Sequence, residues 1–416
     1  MMIGKNRPEM LKRKENFKIM QEQIALTGNE ALALGMKQIN PDVVAAYPIT
    51  PQTEVVQMFS QFVADGEVDT EFVTVESEHS AMSSTVGAAA GGARSMTATS
   101  ANGLALMFEI VYIAASSRLP IVMPVINRAL SGPINIHCDH SDAMGVRNSG
   151  CIQLFGENSQ QAYDNLIQAV RIAENEDVKL PVMVNMDGFI ISHAVENLQP
   201  LPEGEVRNFI GEYHSENYLL NAQEPVTYGP LDLQDYYFEH KRQQVDGMEN
   251  ALKVVKEVAR DYEDISGREY NYFEEYKMED AEIALIGLGS TMGTARVAVD
   301  NLREQGKKTG LINLRLYRPF PKQALKEVLE GIKILGVMDR AESFSLNGGP
   351  LFSDVRNALF DQNNIEVVNF IYGLGGRDIN VSDLEKIFNK LNALKQADKL
   401  TENELINYIG VREISD

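Results

Sequence analysis

An alternation of short apolar tracts with segments of helical spacing constrains the fold more than any other feature, and it starts near residue 26. "VVAAYPI", "FVTVES", "ARSMTATS", "PIVMPVI" and "PVMVNM" read as strands, with helices between them. Strands this apolar are covered on both faces, so the pattern predicts an α/β fold with a mainly parallel sheet. "TGNEALALGMKQI" predicts a helix with Thr27 as N-cap and Glu30 completing a capping box. The pattern breaks at "LQPLPEGE", which ends a first unit at residues 26–198, after an N-terminal extension over 1–25. A second alternation, from "AEIALIGLGS" to "IEVVNFIYGLGG", defines an α/β unit over 281–416. Residues 199–280 between them are acidic and tyrosine-rich. They read as an irregular crossover connector with one helix, "GMENALKVVKEVARDYE".

Composition excludes several functions. The 416 residues carry a net charge of −21, which argues against nucleic-acid binding, since that requires cations to neutralise phosphates. The two cysteines, Cys138 and Cys151, cannot by themselves hold an iron–sulfur cluster or a cysteine-based zinc site. The basic start has no apolar core of a secretory signal, and "ALMFEIVYIAA" is short and broken by Glu109. The chain therefore reads as cytoplasmic, with no membrane and no nucleic acid among its partners.

Chemistry concentrates at the ends of the predicted strands, where ligands of α/β sheets bind. In "AAYPITPQTE", Pro48 and Pro51 stiffen the turn that holds Thr50. The same residues are compatible with an ordinary strand-to-helix turn in which Thr50 or Thr53 caps the next helix. "FVTVESEHSA" delivers Glu76 and Glu78 into a turn before a helix of Ala, Gly, Ser and Thr. Such a helix suits close backbone approach by a subunit or a flat cofactor. Arg128 follows another strand and matches a carboxylate with its planar fork, or forms a structural salt bridge. The loop beyond it holds Asn135, His137, Asp139, His140 and Asp142. These residues read either as metal ligands or as loop residues bonded to one another. "GLGSTMG" has the spacing G-x-G-x-x-x-G rather than that of a dinucleotide fingerprint, and reads as a structural turn.

Taken in order, "YPITP", "VESEHSA", "TATSANGLALM", "VINRALSGP", "DHSDAM" and "MDGFIISH" resemble the alpha subunit of the 2-oxoacid:ferredoxin oxidoreductases, most closely the pyruvate and branched-chain members. The resemblance covers most of the chain. It implies a thiamine-diphosphate-binding domain of the pyrimidine type, followed by a transketolase C-terminal-like domain. By this likeness Thr50 would lie beside the thiazolium and the substrate carboxylate, with Pro48 and Ile49 lining the cofactor. Glu78 would hydrogen-bond N1′ of the aminopyrimidine, Arg128 would meet the substrate carboxylate, and Glu76 would be a neighbour. A carboxylate in a poorly solvated pocket suits that role, because it shares the N1′ proton through a charge-assisted bond.

The GDG…Asn signature for magnesium and diphosphate does not occur, and "MDGF" lacks the leading glycine. The resemblance therefore implies half an active site. Thiamine diphosphate would be shared with a beta subunit, and Mg2+ and [4Fe-4S] clusters would lie in partner subunits. Gamma and delta (ferredoxin-like) subunits would complete the complex, with coenzyme A as co-substrate and ferredoxin as electron acceptor. Pyruvate is the expected substrate, and a branched-chain (2-oxoisovalerate) or aryl 2-oxoacid is the alternative. A nicotinamide-dependent dehydrogenase built on "GLGSTMG" and a non-catalytic assembly subunit are the rivals from other classes.

Overall fold

The structure, a computed structural model, describes residues 23–344, 348–362, 364–396 and 400–412. Most of the expected N-terminal extension lies outside these residues. Its last part enters β1 (Ile24–Thr27), which pairs antiparallel with β8 (Val195–Leu198). The helix Gly28–Ile39 carries the predicted capping box in full: Thr27 N donates to Glu30 Oε2 at 2.7 Å, and Glu30 N to Thr27 Oγ1 at 3.2 Å.

The first sheet contains β2 (Val43–Ala46), β3 (Glu71–Thr74), β4 (Ser95–Met96), β5 (Val122–Asn127), β6 (Ile152–Gly156) and β7 (Val182–Asp187). A seventh strand, β12 (Leu316–Arg318), comes from far along the chain. The order is β12-β6-β7-β5-β4-β2-β3, parallel except for the β12–β6 pair. Two tracts are shorter than their apolar runs suggest. β2 stops at Ala46 because Pro48 has no N–H to give. The tract containing β4 reaches β5 through Met96 and then a single bridge from Thr99 to Val125, since Pro124 lies between and cannot donate.

The second sheet is built from β9 (Phe273–Tyr276), β10 (Ile283–Gly287), β11 (Thr309–Leu314), β13 (Ile334–Asp339), β14 (Glu366–Ile371) and β15 (Ile406–Tyr408). Its order is β15-β14-β13-β10-β11-β9, with only β9 antiparallel. Both sheets thus have the α/β, mainly parallel character that the alternation predicts. One buried apolar cluster runs through both units, joining Leu154, Phe155 and Val184 with Tyr317, Leu335 and Phe352.

The connector differs from its reading in three respects. It contains two helices, Glu203–Ile210 and Tyr237–Ser266, rather than one, and its end supplies β9. The second helix is 30 residues long because its first turns, which bury nothing before Gln244, are held by strong helix formers and an Arg242–Asp246 pair one turn apart. The small-residue helix Glu78–Ala90 receives the connector at its far end, where Leu219 N donates to Ala90 O at 2.8 Å and Tyr218 packs on Gly92. No helix among the described residues is long and apolar enough to cross a membrane.

Candidate active site

β2 has β3 on one side and β4 on the other, so the connections leaving the carboxyl ends of these strands diverge there. Crevices at such a switch point are where open α/β sheets bind ligands. The segments holding Thr50, Glu78, Ser100 and Arg128 follow β2, β3, β4 and β5 in turn. Parallel strands thus bring residues separated by up to 78 positions to one sheet edge.

Gln52, fully buried, shapes the turn after β2. Its Oε1 accepts from Ile49 N at 3.2 Å, its backbone N donates to Ile49 O at 2.8 Å, and its Nε2 reaches Ala98 O at 3.1 Å. Pro48 and Thr50 are exposed on this turn and Ile49 is half-buried. Neither the Thr50 nor the Thr53 side chain caps the following helix, whose N-cap position is Gln52. The wall reading of Thr50 is therefore free of the competing structural duty.

Arg128 is nearly buried and lies directly against that turn. Its Nη1 donates to Thr50 O at 2.9 Å and its Nε to Asn135 O at 2.9 Å. Among the described residues Nη2 makes no hydrogen bond and no carboxylate pairs with the guanidinium, so no structural salt bridge of Arg128 is found there. One donor edge of a positioned cation remains available.

Glu78 opens its helix, with Ser77 as N-cap, and is only 8% exposed. Its carboxylate has no hydrogen-bond partner among the described residues. A Cβ added at Gly103 would come within 2.5 Å of Thr99 Oγ1 and 2.9 Å of Glu78 Oε1, so only glycine lets the helix Ala101–Leu106 approach this closely. The Thr99 hydroxyl is itself buried and has no hydrogen-bond partner among the described residues. Glu76, by contrast, is exposed and accepts from Ser80 Oγ at 2.5 Å, a neighbour that steadies the helix start.

The histidine and aspartate residues of the loop after Arg128 go to separate tasks. His137 is exposed and its ring lies 5.3 Å from that of Phe189. Asp139 accepts from Ser141 Oγ and from Gly375 N of the second unit, at 2.5 and 3.2 Å. Asp142 accepts four N–H bonds, and burial pushes its carboxyl up to about 6 despite them. His140 Nε2 lies 2.7 Å from Asp187 Oδ1 at the end of β7. Asp187 Oδ2 accepts from Ser290 N, Ser290 Oγ and Arg340 Nη1 at 3.0, 2.6 and 2.9 Å. Burial alone would raise the Asp187 carboxyl, but His140, Arg340 and Ser290 together hold it well below the usual carboxylate range.

Ligand atoms of Cys138, His140 and Asp187 lie within 4.8 Å of one another. Arg340 already supplies a cation there, paired with Asp187, and burial raises the Cys138 thiol far above its ordinary value. The group is a buried charge network between the two units. It also accounts for "GLGSTMG": Gly289 has φ +72°, and a Cβ there would lie 2.7 Å from Asp187 Oδ1. The N–H of Ser290, before the helix Thr291–Glu304, is spent on a carboxylate rather than on a phosphate. That removes the feature on which the nicotinamide alternative rested.

With this geometry in place, comparison with known proteins settles the lineage. The family model of pyruvate flavodoxin/ferredoxin oxidoreductase, thiamine diphosphate-binding, matches residues 34–260, and that of pyruvate:ferredoxin oxidoreductase core domain II matches 281–384. The chain belongs to the pyruvate:ferredoxin oxidoreductase family. Within that family it is 57% identical to pyruvate synthase subunit PorA of Thermotoga maritima, over 94% of this chain and 99% of the relative. It is 44% identical to PorA of Methanocaldococcus jannaschii, over 95% and 99% of the two chains. Ketoisovalerate oxidoreductase subunit VorA of Pyrococcus abyssi matches at 39%, over 90% and 95%. A 2-oxoglutarate:ferredoxin oxidoreductase from Magnetococcus marinus shares the fold at TM-score 0.69 and 21% identity, over 90% of this chain and 66% of that one. This family member is an oxidoreductase subunit of the pyruvate:ferredoxin oxidoreductase alpha type.

The sequence named Thr50, Glu78 and Arg128, and the structure brings the first and third into contact. No hydrogen bond joins Glu78 to either among the described residues; the link runs through the helix Ala101–Leu106. Gln52, Thr99, Gly103, Asp187 and Arg340 were missed. The glycine in "SANG" and the aspartate in "MDGF" were the available signals.

Proposed function

We propose that this chain is the alpha subunit that forms the pyrimidine side of the active site of a pyruvate:ferredoxin oxidoreductase. The reaction is pyruvate, coenzyme A and oxidised ferredoxin to acetyl-CoA, carbon dioxide and reduced ferredoxin. The observation that carries the substrate is the 57% end-to-end identity with pyruvate synthase subunit PorA of Thermotoga maritima, against 39% with the ketoisovalerate subunit VorA of Pyrococcus abyssi.

The residues present fit thiamine diphosphate. Glu78 is a nearly buried carboxylate without a partner among the described residues, beside the unpaired buried Thr99 hydroxyl and a helix that only glycine lets in so close. When bound, the cofactor supplies an acidic ring carbon and an electron sink for decarboxylation. Glu78 would hold a proton shared with the aminopyrimidine N1′. Arg128, through its free Nη2 edge, would bind the substrate carboxylate, with Thr50 as a neutral wall beside it. A neutral threonine binds the departing carboxylate less tightly than a second cation would, which favours loss of carbon dioxide.

Partner subunits complete the site in this reading. Both cysteines are buried and unpaired, so [4Fe-4S] clusters would lie in a delta (ferredoxin-like) or beta subunit, with a gamma subunit completing the complex. A beta subunit would hold Mg2+ and the diphosphate. Leu106, Phe108 and Ile113 are exposed on the helices behind Glu78, and Leu231, Leu233 and Phe238 protrude from the connector. These apolar surfaces support docking by other chains.

The test is an anaerobic pull-down of the native complex through this chain, assayed for viologen reduction that depends on coenzyme A and thiamine diphosphate. A panel of 2-oxoacids should give its maximum with pyruvate. A maximum with 2-oxoisovalerate would move the specificity, and no activity with any acid would overturn the reading.

A further inference from the structure

Asp142 takes no part in the roles above, yet it is 2% exposed and accepts four N–H bonds. Its Oδ2 accepts from Arg128 N and from Ala101 N, both at 3.0 Å. Its Oδ1 accepts from Asn127 Nδ2 at 3.0 Å and from Ala143 N at 2.7 Å. One oxygen therefore ties the backbone of the substrate arginine to the first residue of the helix Ala101–Leu106. Two residues further along that helix, Gly103 sits against the Glu78 side chain. Ala101 has φ +45°, a conformation that a residue with a Cβ adopts only when its surroundings hold it. The bond from its N–H to Asp142 is one such hold.

We infer that Asp142 is a positioning residue that fixes the Arg128 side and the Glu78 side of the site relative to each other. A charged acceptor is suited to this, because bonds to a carboxylate are shorter and stronger than those to a neutral oxygen. The aspartate is also anchored from the remaining sides. Asn127 shares its amide with Asn185 Oδ1 at 3.2 Å, which links the clamp to β7, and Oγ of Ser141, the residue before the aspartate, accepts from Leu130 N at 2.9 Å. The two N–H groups it joins, those of Ala101 and Arg128, follow different strands, β4 and β5, and the carboxylate couples them where the ladder between those strands is thinnest.

The inference rests on the functional reading above, and the experiment separates the two. In the purified complex, Asp142→Ala removes both acceptors, whereas Asp142→Asn keeps one oxygen for the Arg128 and Ala101 N–H groups. Three quantities are measured: hydrogen exchange of peptides covering 100–104 and 127–130, affinity for thiamine diphosphate by calorimetry on stripped complex, and KM for pyruvate. Asp142→Ala should speed exchange in both peptides. It should also weaken cofactor affinity and raise KM, each by about tenfold, the scale of one charge-assisted hydrogen bond. Asp142→Asn should give intermediate values.

A merely structural role would lower the melting temperature and leave affinity and KM of the folded complex unchanged, which would overturn the inference. Should the alanine variant fail to assemble, wild-type exchange, affinity and KM in the asparagine variant would overturn it equally. Glu78→Gln and Arg128→Met serve as references. If they leave cofactor affinity and KM unmoved, the functional reading fails; if they move them and the Asp142 variants do not, only the positioning role fails.

Discussion

Arg128 donates through Nη1 to the carbonyl oxygen of Thr50, and this 2.9 Å bond joins the ends of β5 and β2 across the strand between them. Among the described residues the cation is thereby aimed by backbone atoms rather than by a counter-ion, which would leave its charge for a substrate carboxylate in the proposed role. Lysine cannot reproduce this. It has one nitrogen for the Thr50 carbonyl, the Asn135 carbonyl and a ligand together. Arg128→Lys should raise KM for pyruvate about tenfold, about 1.4 kcal/mol, with a smaller change in kcat, in steady-state assays of the complex.

Glu78→Gln keeps the shape of the side chain and removes the negative charge. Turnover should fall by at least about 100-fold, the lower range for removal of a positioned acid or base. Native mass spectrometry should show the same subunit composition as wild type. Retained turnover would remove Glu78 from the chemistry.

Gly103→Ala places a methyl group against Thr99 Oγ1 and the Glu78 side chain. Overpacking of this kind costs about 1–3 kcal/mol. Thermal unfolding of the complex should show a lower midpoint, and thiamine diphosphate affinity should fall with it, since the same methyl displaces the carboxylate. A stable variant with unchanged affinity would mean that the helix can shift without disturbing the site.

Asp339, at the end of β13, is buried and accepts from Leu351 N, Phe352 N and Asn369 Nδ2 at 2.8, 3.0 and 2.8 Å. Burial pushes its carboxyl up to about 7 even so. A carboxyl raised on folding binds more protons in the native than in the unfolded state between its two pKa values. Its contribution is therefore fully present below about pH 4 and is lost as pH rises through about 7. Denaturant unfolding across that window should show stability descending by about 1.4 kcal/mol for each step of one in pH. Asp339→Asn should lack this component. An unchanged slope would show that the carboxyl ionises as it does in water.

What was legible in the sequence followed distance along the chain. The partners of the Thr27–Glu30 capping box are three positions apart and were read from spacing alone, and the alternation gave both sheets. Thr50, Glu78 and Arg128 could be named because prolines and strand ends mark them and because they lie in stretches that resemble a family. Asp142 was visible only as one member of a polar loop. Nothing local tells it from His137, which ends up exposed, because its decisive partner Ala101 lies 41 residues away. Asp187 is harder still, with Ser290 and Arg340 at 103 and 153 residues. The length of the connector helix was missed because its first turns bury nothing, so no apolar period announces them.

β12 lies among residues that the second family model covers, yet it pairs with β6 of the first sheet through Leu316–Leu154 and Arg318–Gln153. A protein cut near residue 280 would leave β6 as a bare, apolar edge, open to pairing with any other extended chain. The second half has a buried core of its own, but β12 makes the first sheet depend on it. Expressed apart, the first should clump unless a short peptide carrying Leu316–Arg318 is returned to it.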